Sequence, residues 1–169
     1  MPTKSAGPTT HPSAFIHPLA YVTGDVRLGP RVSIWPFASL RGDTDVITIE
    51  DDSNVQDGCV IHCDAGVPCH IGKRVGIGHR AILHGAVVEN DVLIAMGAIL
   101  LNGSRVSSGS IIGAGAVVRE GFVVPENSLV LGVPGRIVRE TTLEERDRIT
   151  RTVESYIALQ ERYRSERRT

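Results

Sequence analysis

Aliphatic residues recur every six positions along most of this chain, usually with a small or β-branched residue four places later. The series opens with Val22 and Val26, Leu28 and Val32, Ile34 and Ala38, then Leu40. It resumes at Ile49 and Ser53, Val55 and Cys59, and Ile61. After an insertion it returns at Ile71 and Val75, Ile77 and Ala81, and Leu83 and Val87. A one-residue slip follows. The phase then runs from Val88 and Val92 through Ile94 and Ala98, Leu100 and Ser104, Val106 and Ser110, and Ile112 and Ala116. Val118, Val124 and Val130 keep it. A period of six is a multiple of the strand repeat of two and not of the helical 3.6. Each unit therefore reads as a short strand and a turn, with the leading residue and the one four later facing inward. Three units close a triangular coil, so the pattern predicts an all-β solenoid with about eighteen residues per turn. A β-sandwich would need longer spacings and Asn-Gly or Asp-Gly hairpins.

From Thr141 the period changes. Thr142 and Glu145 are spaced as a capping box, and Leu143, Ile149, Val153, Tyr156, Ile157 and Tyr163 follow helical spacing. The expected organisation is a mobile leader over residues 1–13, a solenoid over 14–140 and a C-terminal helix over 141–169. The helix would pack on the solenoid or on a neighbouring subunit, with its charged residues on a solvated face.

Composition narrows the function. The chain has 169 residues and a net charge of −1, so no basic field points to nucleic acid or an anionic membrane. It has no apolar run of about 18 residues, hence no expected membrane span. The Pro/Thr/Ser-rich start lacks the apolar stretch of a signal peptide, and three cysteines cannot all pair. A cytoplasmic protein is expected.

The candidate chemistry lies in three histidines set against the repeat. His62 follows Ile61 and His84 follows Leu83, twenty-two residues on. Residues 63–70 hold a four-residue insertion. Removing it leaves eighteen, one coil, so both imidazoles should stack outward on one face, roughly 4.8 Å apart. His79 precedes His84 by five residues and falls around a corner. A symmetric neighbour could bring its own His79 to the pair. The spacing thus favours a metal site shared across an oligomer interface, and a three-sided prism suits a trimer. Three imidazoles and a water form an open zinc site of the catalytic kind. Cys63, Cys69 and His70 offer a rival structural zinc site, and Cys59 reads as a core residue. Gln56 follows Val55 as His62 follows Ile61, so it should point outward on the preceding face, where its amide could orient the metal-bound hydroxide. Arg41 could pair with Asp43 or with Asp57, a contact that could equally hold the subunit interface.

Leu40-Arg-Gly-Asp43, Asn54-Val-Gln-Asp57, Val60-Ile-His62, Ile77-Gly-His79 and Leu83-His84-Gly resemble, in order, the motifs of γ-class carbonic anhydrases and their short bacterial relatives. Gly132-Val-Pro-Gly-Arg-Ile-Val-Arg139 resembles the turn that closes their solenoid. The resemblance covers roughly residues 14–160. It implies a left-handed parallel β-helix of hexapeptide repeats, assembled as a homotrimer with metal sites between subunits. It implies zinc, or alternatively Fe2+ or Co2+, on His62 and His84 of one subunit and His79 of the next. Gln56 would sit near the metal-bound water and Asn54 in the same pocket. Arg41, Asp43 and Asp57 would support site and interface, and Tyr156 would reach the site from the helix. The implied reaction is reversible hydration of carbon dioxide to bicarbonate. The chain departs from the archetype of the class in two places. Thr44 stands where the archetype has a glutamate, and residues 63–70 form a short loop whose only acid is Asp64. Slow proton export is expected, with Asp64 and His70 as the local relays. A metal-dependent acyl-CoA thioesterase, a hexapeptide acyltransferase and a non-catalytic metal-stabilised trimer are the competing readings.

Overall fold

In the computed structural model, residues 7–166 are described. Short strands wind into a left-handed parallel β-solenoid of about seven turns, and one helix, α1 (Leu143–Glu166), lies along it. Three faces follow one another along the chain. The helix face carries Phe15–Ile16, Ser33–Ile34, Asn54–Val55, Gly76–Ile77, Leu93–Ile94, Ile111–Ile112 and Ser128–Leu131. The histidine face carries residues 21–24 and 39–43, then Val60–His62, Ile82–His84, Ile99–Leu100 and Val117–Val118. The charged face carries residues 26–28 and 47–49, then Cys69–Ile71, Val87–Val88, Arg105–Val106 and Val123–Val124.

The inward residues of the repeat form one continuous apolar column. Ile34, Val55, Ile77, Ile94, Ile112 and Val130 stack on the helix face, and Leu40, Ile61, Leu83, Leu100 and Val118 on the histidine face, all buried. Burying such a side chain contributes about 1.5–3 kcal/mol. A single coil has no second layer of its own, so the gain comes from stacking coil on coil.

Four details differ from the pattern read along the chain. Val87 does not turn inward; Ala86 does, fully buried. Gly85 turns the corner at φ +56°, so only two residues separate the inward positions Leu83 and Ala86. The leader was expected over residues 1–13, of which 1–6 lie outside the described residues. Thr9 and Thr10 pair with Arg27 and Leu28, so this part of the segment is the first strand of the charged face. Leu143, counted on the apolar side of the helix, is 74% exposed, because the helix makes its buried contacts later, through Ile149 and Val153. Residues 136–140, expected within the parallel solenoid, run antiparallel to Ser128–Leu131 and close the sheet after the turn at 132–135.

The capping box forms as spaced. Glu145 N–H donates to Thr142 Oγ1 at 3.2 Å, and Thr142 N–H donates to Glu145 Oε2 at 2.8 Å. Ile149 and Val153 then pack inward. Trp35 receives Tyr156 and Tyr163 edge-on at 5.3 and 5.2 Å, and Gln160 Nε2 donates to Arg31 O. The helix thus covers a face of its own chain.

Candidate metal centre

Parallel pairing sets His84 directly opposite His62. Their ring centroids are 5.1 Å apart, and His62 Nδ1 faces His84 Nε2 at 3.1 Å. The outer nitrogen of each ring is already engaged. His62 Nε2 lies 2.9 Å from Asp43 Oδ1, a carboxylate that only accepts. His84 Nδ1 lies 2.8 Å from Asn102 Oδ1. Asn102 Nδ2 in turn donates to Asp64 Oδ2 at 2.7 Å, which fixes the amide with its oxygen towards His84. Both outer nitrogens must therefore carry the proton. With both rings neutral, the two inner nitrogens then present lone pairs to each other, an arrangement that a cation shared between them, a metal ion or a proton, would relieve. Two imidazoles bound to one tetrahedral ion at 2.0–2.1 Å would hold their nitrogens roughly 3.4 Å apart. The donor pair fits a zinc, iron or cobalt ion, and the carboxylate behind His62 is the outer support that metal-binding imidazoles ordinarily have.

Asp43 takes three contacts. Arg41 Nη1 donates to its Oδ2 at 2.7 Å, which decides between the two partners open to Arg41. Thr44 Oγ1 lies 3.4 Å from its Oδ1, and His62 completes the set. Desolvation works to raise the Asp43 carboxyl, but the hydrogen bond from His62 and the charge of Arg41 outweigh it and hold it below the usual carboxylate range.

His79 sits around the corner with a different set of neighbours. Its Nδ1 lies 3.1 Å from Asp57 Oδ2, one coil before it. Among the described residues of the single chain, no three His, Cys, Asp or Glu side chains form a group that could hold a metal. His79 instead shares a cleft of ≈ 330 Å³ with Gln56, Met96, Arg148 and Tyr156 beneath the helix. Gln56 points outward as its position requires, yet it is buried because the helix covers it. Gln56 Nε2 donates to Asn54 Oδ1 at 3.0 Å, and Asn54 Nδ2 is buried without a partner. Burial, and then the nearby Asp57 carboxylate, push the Tyr156 phenol up to about 12, so it stays a neutral donor.

The cysteine alternative fails on geometry. Cys63 and Cys69 point into the core at 0% and 1% exposure, and burial pushes the Cys69 thiol up to about 12. His70 turns outward on the charged face, 3.3 Å from Glu50. The three do not form a site. Cys59 is a core residue, its thiol donating to Gly78 O at 3.1 Å. The residue that sequence reasoning missed is Asn102. It lies eighteen residues after His84, but the coil is one residue short there, Leu83 pairing with Leu100, so Asn102 falls at the corner over Gly85 and outside the histidine column.

No family model matches the chain. Among curated proteins, the "Probable carbonic anhydrase" of Methanocaldococcus jannaschii is 47% identical over 142 residues, covering 84% of this chain and 89% of that one. The carnitine operon protein CaiE of Salmonella newport is 52% identical over 59 residues, covering 34% of this chain and 30% of CaiE. Among solved structures, a Bacillus cereus protein described as a "putative acetyltransferase" superposes with a TM-score of 0.92 at 37% identity, over 96% of this chain and 94% of that one. A hexapeptide transferase family protein of Anaplasma phagocytophilum gives 0.89 at 36% identity, over 92% of each. No helix among the described residues is long and apolar enough to cross a membrane. A coiled hexapeptide scaffold, two stacked histidines and a relative aligned over most of both chains lead to one conclusion: this chain belongs to the hexapeptide-repeat family that includes the probable carbonic anhydrase of M. jannaschii.

Proposed function

We propose that the protein is a γ-class carbonic anhydrase-like enzyme that interconverts carbon dioxide and bicarbonate at metal sites shared between the subunits of a homotrimer. The observation that carries this reading is the pair of lone-pair nitrogens, His62 Nδ1 and His84 Nε2, facing each other at 3.1 Å. His62 and His84 of one subunit would hold the ion together with His79 of the next, each ring supported from behind by Asp43, Asn102 or Asp57. A subunit interface on the histidine face is supported by its uncovered apolar side chains, Tyr21, Val60 and Ile82, which are 60%, 39% and 37% exposed in the single chain.

A zinc-type ion, when bound, supplies the Lewis acidity that lets a water ionise near neutral pH. The chain's own residues do the rest. The Gln56 carbonyl, held through its amide by Asn54, is placed to accept the remaining proton of the attacking water and so aim its lone pair. The neutral Tyr156 phenol donates to a product oxygen in the same cleft. The buried Asn54 amide is a further donor for a bound water or substrate oxygen. Proton export is the weak step. Asp64 is engaged by Asn102, His70 faces Glu50 on another side of the prism, and Thr44 offers no carboxylate.

An acyl-CoA thioesterase or acyltransferase is the second reading. It is favoured by the apolar lining that Leu93, Ala95 and Met96 give the cleft and by the names of the two structural relatives. The test is oxygen-isotope exchange between carbon dioxide and bicarbonate by the zinc-loaded protein. Exchange that a chelator abolishes supports the proposal. Absent exchange in fully loaded protein, with turnover of an acyl-CoA, overturns it in favour of the second reading.

A further inference from the structure

We propose that Asn102, held in place by Asp64, is a positioning residue for His84, fixing that ring with its proton on Nδ1 and its Nε2 lone pair aimed at the shared cation. The inference rests on the reading above in taking His84 Nε2 as a ligand atom, and it assigns a role to two residues outside the histidine set.

Three observations carry it. The first is a directed line of hydrogen bonds: His84 Nδ1 donates to Asn102 Oδ1 at 2.8 Å, and Asn102 Nδ2 donates to Asp64 Oδ2 at 2.7 Å. A carboxylate cannot donate, so Asp64 permits only one orientation of the amide. That orientation permits only one neutral tautomer of the imidazole.

The second is a space kept open for the amide. Gly85 follows His84 with φ +56°, and a Cβ there would lie 2.4 Å from Asn102 Oδ1 and 2.8 Å from Val67 Cγ1. A side chain at 85 would displace the acceptor from His84.

The third is a contrast within the fold. Asparagine over glycine recurs at other corners, where it serves the scaffold. Asn90 Oδ1, against Gly72, accepts from Lys73 N–H. Asn127 Oδ1, against Gly109, accepts from Arg146. At Asn102 the same acceptor is turned onto an imidazole. The four-residue insertion makes this possible. Asp64 and Val67 bridge across its loop, and Gly66 N–H donates to Asp45 Oδ2 at 2.8 Å. The loop is thereby pinned with its one acid in reach of a residue 38 positions later. The insertion that separates the histidines in sequence thus brings in the group that orients one of them.

The experiment reads the His84 tautomer by nitrogen-resolved NMR in metal-free protein at about pH 9, above the imidazole range, and zinc affinity by chelator competition. Wild-type His84 should carry its proton on Nδ1. Asn102→Leu should lose that preference and bind zinc about 10–100-fold more weakly. Asn102→Asp should also lose affinity, because it sets two carboxylates face to face. Adding Asp64→Asn to Asn102→Asp should restore it, since the amide then donates to the carboxylate that accepts from His84. A residue that merely fills a corner would show no such rescue. A wild-type proton on Nε2 overturns the proposal, as does Asn102→Leu with tautomer and affinity unchanged. The wild-type tautomer requires no variant to fold. If wild-type protein binds no zinc, the tautomer alone decides this inference, and it is the proposed function that fails.

Discussion

Two faces of the prism stack outward aliphatic side chains in successive coils, and the single chain treats them differently. On the helix face, Ile111 and Leu129 are covered by Ile149 and fall to 2% and 9% exposure. On the histidine face, Val60 and Ile82 occupy the corresponding outward positions and remain open at 39% and 37%. The third face has Val87 and Val123 in that column too, but Arg27, Thr48, His70 and Arg105 interrupt them, so no continuous apolar strip forms there. Apolar outward residues in a solenoid call for something to lie on them. The chain supplies its own helix for one face; under the proposed function a second copy covers the other, which bears His62 and His84. On this account the uncovered apolar column and the incomplete ligand set have the same remedy.

The comparison can be broken most severely on the open face. Ile82→Arg would bury an unpaired charge in the proposed interface, at a cost of several kcal/mol. Association should weaken by more than about 10²-fold, and metal should be lost with it. Light scattering and metal analysis check both. An unchanged trimer would mean that this face is not the interface.

On the covered face the effect should be one of stability. Ile149→Ala removes a buried contact between helix and solenoid and should cost about 2–5 kcal/mol, read as a fall in apparent Tm. The subunit count and the zinc per chain should not change. Gln56 lies beneath the same helix but serves the site. Gln56→Ala should keep the metal and lower turnover by about 10²-fold, separating cover from chemistry on one face. Steady-state kinetics on metal-matched protein would show it.

The smallest effect is at the start of the helix. Glu145 is held down to about 2, first by the hydrogen bond from Arg139 and then by the Thr142 backbone. A carboxyl depressed in the folded state stabilises above its ordinary range and loses that contribution as pH falls. The cap should therefore weaken between about pH 4.5 and 2, while Glu145→Gln should show no such dependence on pH. Amide exchange at the helix N-terminus is the readout.

Much of this arrangement is legible in the sequence because the period leaves each side chain one direction to point. The stacking of His62 on His84 follows from counting residues, as does the inward turn of Cys59. Where the account missed, the period was broken. Gly85 shortens the corner, so Ala86 and not Val87 fills the core. Asn102 acts through a corner that the hexapeptide phase does not describe. Cys63 and Cys69 looked available because they flank an insertion, but the insertion bulges between two inward positions. The seat of the helix was open in sequence, since an amphipathic face does not say what it covers. Trp35 decides it by receiving Tyr156 and Tyr163 on the chain's own surface.

The central claim is that one site draws His62 and His84 from one subunit and His79 from another. Mixing His79→Ala with His84→Ala subunits tests it directly. Each variant alone lacks a complete ligand set at every interface. In a mixed trimer, one interface joins an intact pair from the His79→Ala chain to an intact His79 from the His84→Ala chain. The account predicts that refolding the two variants together recovers one tightly bound zinc per mixed trimer, with neither homotrimer binding it. Mixed trimers that bind no zinc, or His79→Ala homotrimers that bind it fully, would contradict the shared site.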